Sequence, residues 1–380
     1  MQITGIDTFL VREAHRNLVF VKVRTDDGID GIGEAYSCGP DDATAAVIHH
    51  LEEWLVGRDP REVERLWALM YNGSRFPGGS ILNSAISGIE HALWDIKGKE
   101  LGVPVWSLLG GKTRDKVRIY QGCGGATPAE CAENALALIE KYGYTALKMS
   151  PHPPDSDRLP WNAVVRGAAE RIAAVREAVG PDIDIGLDPH AKIFNPVRAL
   201  QMAQAVQPYA PFFFEEPTRP ENVDALARLR AQTEIPIATG EMLYTKWEFR
   251  ELMVKDACDI LQPDICCCGG IMELKKIAAM AEAFYLEIAP HNPMGPLATV
   301  INVHLAASIT NFLILEYVPD DRPIRRDLLK AALQPVDGYL PVPEAPGWGV
   351  ELNEEAFAQY PFRPWHRGFP FREDGSVAWI

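Results

Sequence analysis

Residues 183–194 read IDIGLDPHAKIF. Ile183, Ile185 and Leu187 alternate with smaller or polar residues, as in a short buried strand. The run then breaks at Asp188, with Pro189 and His190 behind it. Taken alone, Asp-Pro is an ordinary turn opener. The same form recurs, and the recurrence decides the fold. From Val117 onward, eight short apolar runs alternate with longer segments of helical character: VRIY, TALKM, IDIGLD, FFFEE, IPIATGE, CDILQPD, LEIAPH and FLILEY. Continuous apolar runs are buried on both faces, as in a parallel sheet. Eight strand–helix units predict an α/β protein built on a (β/α)8, TIM-like barrel. A doubly wound open sheet is the alternative, but it usually has fewer strands, and no GxGxxG follows a first strand. The glycines of QGCGGAT have the wrong spacing for a phosphate loop and read as a turn.

The intervening helices carry their own punctuation. TPAECAENALALIEKYG has Thr127 as N-cap, Pro128 in the first turn, Glu130 completing a capping box and Gly143 beyond the end. NPVRALQMAQAV opens on Asn195 and Pro196. TKWEFRELMVK places Glu248 three residues after Thr245, again in capping-box form. The first hundred or so residues differ. ITGIDTFLVRE and LVFVKVRTDDGIDGIGEAY read as antiparallel strands with Asp27-Gly28 as a hairpin signal, and helical segments follow, including SAISGIEHALWDIKGKEL. The expected organisation is an N-terminal α+β capping domain over residues 1–114 and the barrel over 115–322. A Pro-rich C-terminal segment, 323–380, is expected to pack back on the cap.

The 380 residues are 47% hydrophobic, enough for a large core, and the formal net charge is −15. That acidity argues against nucleic acid and anionic membrane as partners, since both reward clustered Lys and Arg. It leaves room for an anionic small substrate, because a bound cation reverses the local sign. No run reaches the roughly 18 apolar residues of a membrane span. The N-terminus lacks the pattern of a signal peptide, so a cytoplasmic location is expected. The seven cysteines are then expected as reduced thiols. Cys266, Cys267 and Cys268 invite a metal reading. Consecutive strand residues cannot all face one ligand, and zinc sites favour CxxC pairs, so small apolar residues at a strand exit is the better reading.

In such barrels the chemistry sits where the strands end. The third, fourth and fifth runs end in Asp188, Glu215 and Glu241. Adjacent strands lie about 4.8 Å apart, so three carboxylates on successive exits crowd together and repel without a cation. An oxygen-rich cluster of this kind suits Mg²⁺. The sixth and seventh exits add Asp264 and His291, a carboxylate placed to fix an imidazole's tautomer. Glu316 ends the eighth run and Lys148 the second. If the strand stays extended through Pro189, Asp188 and His190 point to the same side.

With these residues on the page, the chain resembles the enolase superfamily in its mandelate racemase-like branch. The resemblance runs through GIGEAY, IEHALWDIKGKELGVPVWSLLGG, LDPH, FFEEP, ATGE, LQPDI, APHNPMGP and DGSVAWI, and so covers nearly the whole chain. Glu215 and Glu241 lie 26 residues apart and Asp264 and His291 lie 27 apart, spacings similar to the branch pattern. The resemblance implies Mg²⁺ on Asp188, Glu215 and Glu241, with an active site between cap and barrel. Superfamily sites of this kind use a Lys or His base and Mg²⁺ to stabilise an ene-diolate. Within the branch the chain looks most like acid-sugar dehydratases of the D-galactonate dehydratase type. LDPH and APHNP supply two histidines, Glu316 matches a late glutamate, and LKMSP lacks the second lysine of the racemases.

That resemblance implies dehydration of a sugar acid, an aldonate, to a 2-keto-3-deoxy acid. His291 held by Asp264 is then the base, His190 protonates the departing β-hydroxyl, and Glu316 and Lys148 assist at the carboxylate. An epimerase or racemase, or a lactone cycloisomerase, keeps the same site and changes the reaction. A binding protein with a silent site is expected to lack one of these acids or the base, and every position is filled. The loops REAHRNL and YNGSRFPGGS offer His15, Arg16, Arg75 and Phe76 to the distal end of a substrate. A homo-oligomer, up to an octamer, is implied by the resemblance.

Overall fold

The computed structural model describes residues 1–14, 16–364, 368 and 371–378. The chain opens with an antiparallel sheet of β1 (Ile3–Glu13), β2 (Arg16–Thr25) and β3 (Gly31–Ala35), in that spatial order. Gly28 takes a positive φ of 75° in the turn between β2 and β3, where a Cβ would be strained. Three helices follow: α1 (Asp41–Leu55), α2 (Val63–Gly73) and α3 (Ser80–Leu101). Helix α3 is buried on nearly every side and lies directly on β3. Gly31 and Gly33 permit that approach, because a Cβ at either would collide with a backbone carbonyl of α3, at Ala92 or Gly88.

After the short helix α4 (Val105–Leu108) the barrel strands appear in order. They are β4 (Lys116–Gly122), β5 (Ala146–Met149), β6 (Asp184–Leu187), β7 (Phe213–Glu215), β8 (Ile237–Thr239), β9 (Ile260–Leu261), β10 (Glu287–Ile288) and β11 (Leu315–Glu316). Each pairs in parallel with its sequence neighbour from β4 through β10. β11 pairs with β4, and an Ile288–Phe312 bridge closes the ring. Seven of the eight strands fall inside the apolar runs, and β4 extends beyond VRIY at both ends. The barrel's interior is filled by Tyr120, Ala146, Phe213, Ala238, Ile260, Ala289 and Ile314, one per strand or exit. Gly186 is the small partner in this layer: a Cβ there would sit 2.5 Å from the Phe213 ring.

Between the strands run α5 (Pro128–Tyr142), α6 (Trp161–Val179), α7 (Pro196–Val206), α8 (Val223–Arg230), α9 (Thr245–Val254), α10 (Ile271–Ala283) and α11 (Pro296–Ser308). The Thr127 capping box and the Asn195 cap form as the sequence suggests. The start of α9 differs. Thr245 has a positive φ of 59°, and Glu248 accepts from the N–H of Tyr244, so the helix begins one residue earlier than the Thr–Glu spacing indicates. Beyond the barrel, β12 (Tyr339–Pro341) pairs antiparallel with β4. The chain then reaches the N-terminal sheet. Phe357 stacks on Phe20 at 5.4 Å, Trp348 Nε1 donates to the Ile32 carbonyl, and Arg12 N donates to the Tyr360 carbonyl. Among the described residues no helix is long and apolar enough to cross a membrane, and the seven cysteines are free thiols.

Candidate active site

The carboxyl ends of the barrel strands open into a cavity of about 840 Å³. Lys148, Asp188, His190, Glu241, His291 and Glu316 line it from the barrel, and Arg16 and Tyr36 from the N-terminal unit. Glu215 and Asp264 stand behind this wall, each touching a residue in it.

Lys148 is the hub. Its Nζ lies 2.8 Å from Glu215 Oε1, 3.1 Å from Glu316 Oε1 and 3.2 Å from Asp188 Oδ2, and all four side chains are buried or nearly so. Burial alone would strip the lysine of its proton, but these acids outweigh it and hold its pKa well above the ordinary value. For Asp188 and Glu316, burial is overcome by the ammonium and both are held low. Glu215 is raised to about 7, by burial first and then by the charge of Asp188. Its other oxygen accepts from Gln262 Nε2 at 2.9 Å. Glu316 Oε2 accepts from the Asn292 N–H at 2.9 Å, and Asn292 Nδ2 returns to the Glu316 carbonyl. Gln262 and Asn292 are parts of the site that a search for titratable residues passes over, although both lie inside the LQPD and APHNP segments.

The sequence expectation that Asp188, Glu215 and Glu241 crowd together holds for the first two, which meet at Lys148. Glu241 turns instead toward His291, with Oε2 3.4 Å from Nε2. Among the described residues no three acids, histidines or cysteines are gathered into a ready cage. The reason is electrostatic: the lysine ammonium draws Asp188, Glu215 and Glu316 to one point, and the imidazole attracts the remaining acid.

His291 Nδ1 lies 2.8 Å from Asp264 Oδ2, and the two residues form a parallel bridge between exit loops. Asp264 Oδ1 accepts from the Cys266 N–H at 2.8 Å, which fixes the carboxylate. The Tyr36 ring lies 6.1 Å from the imidazole. Burial disfavours the imidazolium, but Glu241, Asp264 and Glu316 outweigh it and raise the pKa to about 10.

Asp188 and His190 meet, but not along an extended strand. His190 and Ala191 both have positive φ, 54° and 53°. The Asp188 Oδ1 accepts from the His190 N–H at 2.8 Å, an Asx turn that reverses the chain. The ring then folds back, with Nδ1 2.9 Å from Asp188 Oδ2. The bond to Asp188 raises the His190 pKa to about 9, and the side chain stays half exposed to the cavity. Asp188 is therefore both turn opener and site residue.

The two loops of the N-terminal unit are placed differently. Arg16 lines the cavity. Arg75 and Phe76 do not: Phe76 is 85% exposed, with the Arg75 guanidinium 5.5 Å above its ring. Their segment leaves α2 and returns through Gly78 and Gly79, both with positive φ, which turns the tip to solvent. His15 lies outside the described residues.

The donor set fits a hard divalent cation. Asp188 Oδ2 and Glu241 Oε2 are buried carboxylate oxygens met only by the ion-pair contacts with Lys148, His190 and His291, and Glu216 Oε2, beside Glu215, has no hydrogen-bond partner among the described residues. Such oxygens are costly unless something positive meets them. Oxygen donors on three successive exits are what Mg²⁺ prefers.

An eight-stranded barrel with an α+β lid, a ring of acids on successive exits and an Asp–His pair define an enolase-type enzyme. The sequence comparisons agree. Residues 130–356 match the family model "Enolase C-terminal domain-like", and residues 8–110 match "Mandelate racemase / muconate lactonizing enzyme, N-terminal domain". The chain is 37% identical to the D-galactonate dehydratase of Ralstonia nicotianae and 36% to that of Cronobacter sakazakii, with all of both chains covered in each comparison. Among solved structures, a putative galactarate dehydratase from Agrobacterium radiobacter, bound to sodium and L-malate, superposes with a TM-score of 0.95. It is 41% identical, and 100% of each chain is covered. A putative dehydratase from Salmonella enterica gives 0.90 at 36% identity, over 95% of this chain and 99% of that one. The chain belongs to the enolase superfamily, in its mandelate racemase/muconate lactonizing branch, and is an enzyme of the hydro-lyase class.

Proposed function

We propose that this enzyme dehydrates a sugar acid, a D-galactonate-like aldonate, to the 2-keto-3-deoxy acid. The observation that carries the reading is two histidines on different exits of one cavity, with His291 locked to Asp264 and His190 held to Asp188 through Nδ1 and half exposed to the cavity. The relatives named above support the reaction class.

His291 Nε2 takes the α-proton, while Asp264 keeps the other ring proton on Nδ1 and stabilises the imidazolium that forms. The electron pair passes toward the substrate carboxylate. Lys148 supplies positive charge there, and Glu316, held by Asn292 and Lys148, orients that end. His190 gives its proton to the β-hydroxyl, which leaves as water. The resulting enol tautomerises to the 2-keto acid. Asp188, Glu215 and Glu241 are the residues to hold Mg²⁺, which when bound supplies Lewis-acid stabilisation of negative charge on the carboxylate. Neutralising Glu241 would weaken the field that keeps His291 protonated, as a base needs. Arg16 reaches the distal end of the substrate.

The test is incubation of purified protein with Mg²⁺ and a library of sugar acids, with assay of 2-keto acid. Aldarates belong in the library, because the Agrobacterium neighbour's name and ligand are both dicarboxylic. The expected result is product from at least one sugar acid and none with His291→Asn. Deuterium uptake at the α-carbon from solvent D₂O with no dehydrated product would instead establish an epimerase on the same site.

A further inference from the structure

Asp264 and His291 sit on consecutive exit loops, and each loop runs straight into a helix, residues 264–270 into α10 and 291–295 into α11. The first N–H groups of a helix need acceptors from outside it. In three of the other barrel helices these are local: Thr127, Asn195 and Asn222 cap α5, α7 and α8, whereas α6 and α9 have no side-chain cap. Helices α10 and α11 start at Gly270 and Gly295, which have no side chain to offer. Their acceptors come from the N-terminal unit. Glu90 of α3 accepts from Ile271 N at 2.9 Å and Met272 N at 3.0 Å. Glu34 of β3 accepts from Gly295 N at 2.5 Å and Ala298 N at 2.9 Å. Both glutamates are fully buried.

The glycines are part of the device. A Cβ at position 295 would stand 2.5 Å from Glu34 Oε1, and one at 270 would collide with the Glu90 carboxylate. Further contacts from the N-terminal unit seat the first of these loops. Trp67 Nε1 donates to the Gly269 carbonyl, and Gly269 N donates to Ser87 Oγ. Tyr36 N donates to the Cys266 carbonyl. Within the barrel, β9 and β10 are two residues each, joined beyond by the Asp264–His291 bridge, and the second loop is also tied to Glu316 through Asn292.

We propose that Glu34 and Glu90 are positioning residues, which set the Asp264–His291 geometry from the N-terminal unit by anchoring the helices behind the two loops. The inference rests on His291 being the base. It makes the N-terminal unit part of the acid–base machinery as well as the wall of the cavity.

The experiment compares Glu34→Gln, Glu90→Gln and Gly295→Ala with the parent enzyme. kcat is expected to fall 10–100-fold, the scale of losing a partner that orients a catalytic imidazole, with KM changed less than threefold. Gly295→Ala should add nothing in a Glu34→Ala background, where the collision is gone. A second readout needs no turnover. The His291 Nδ1–H proton, assigned by its loss in His291→Asn, should shift or broaden in the proton NMR spectrum of each variant. Thr127→Ala, a local cap remote from the pair, is the control and should leave kcat alone. Unchanged kcat and an unmoved proton signal in folded variants overturn the proposal, as does an equal kcat loss in Thr127→Ala. Turnover that survives His291→Asn would reject the base assignment instead, and the proton signal then still decides whether the glutamates hold the pair.

Discussion

Asp264 makes no part of the cavity wall, yet the proposed mechanism depends on it as much as on the histidine it holds. In Asp264→Asn the shape is kept, but the amide offers Nδ1 a hydrogen as readily as an acceptor. The imidazole proton can then move to Nε2, the atom that must be bare to act as a base. A fall in kcat on the order of 10²–10⁴-fold is expected, the range for a lost general base, with little change in thermal stability. Steady-state kinetics on the sugar acid identified by the library decides it, and activity within tenfold of the parent speaks against the role. His190 is separable by a different readout. His190→Asn should still exchange the α-proton with solvent deuterium while forming no 2-keto acid; loss of exchange as well would make it a second base. At this scale the sequence was generous. Lys148, Asp188, Glu241, His291 and Glu316 line one cavity, with Glu215 and Asp264 directly behind. Conformation was less legible, because Asp188 forms an Asx turn that a strict strand alternation does not anticipate.

At the scale of elements, the apolar runs located the strands but overstated the length of all but the first, β4, which outruns VRIY at both ends. LEIAPH and CDILQPD each contribute a strand of only two residues, with the Asp264–His291 bridge beyond. An apolar run reports burial on both faces, and burial continues into the exit loops after the ladder of hydrogen bonds has ended. Helix starts were legible where the cap is local. Thr127 accepts from the Glu130 N–H and Glu130 returns to the Thr127 N–H. Thr127→Ala should therefore cost about 1 kcal/mol, seen as a lower urea midpoint at unchanged slope. A variant within experimental error of the parent would show that tertiary packing alone holds α5. The starts of α10 and α11 were not legible at all. Their acceptors, Glu90 and Glu34, lie more than 180 and 260 residues away, and local pattern carries no information about so distant a partner.

Over the whole molecule, His304 shows how the parts are tied together and what that costs in acid. It lies on α11, its Nδ1 accepts from the Trp106 N–H, and its Nε2 faces the Trp348 carbonyl, both at 3.1 Å. One ring thus joins the barrel, the segment after α3 and the returning tail. Both partners require the neutral ring with its proton on Nε2. Burial lowers the pKa from 6.5 to about 4. In the unfolded chain the ring takes a proton near its ordinary value, so between 6.5 and about 4 the unfolded state binds a proton that the folded state refuses. The contribution to stability is complete above pH 6.5 and is lost as the pH falls through that window, at up to about 1.4 kcal/mol per pH unit. Glutamine at this position keeps both bonds, carbonyl to Trp106 and amide to Trp348, and cannot titrate. His304→Gln should match the parent to within about 1 kcal/mol at pH 7.5, the scale of an ordinary substitution. It should gain on the parent steadily from pH 6.5 downward. Buried acids such as Glu90, raised to about 8 by burial, act equally in both proteins and drop out of the difference. Urea midpoints at pH 7.5, 6 and 5 measure it, and parallel curves for the two proteins would mean that His304 keeps its proton in the fold.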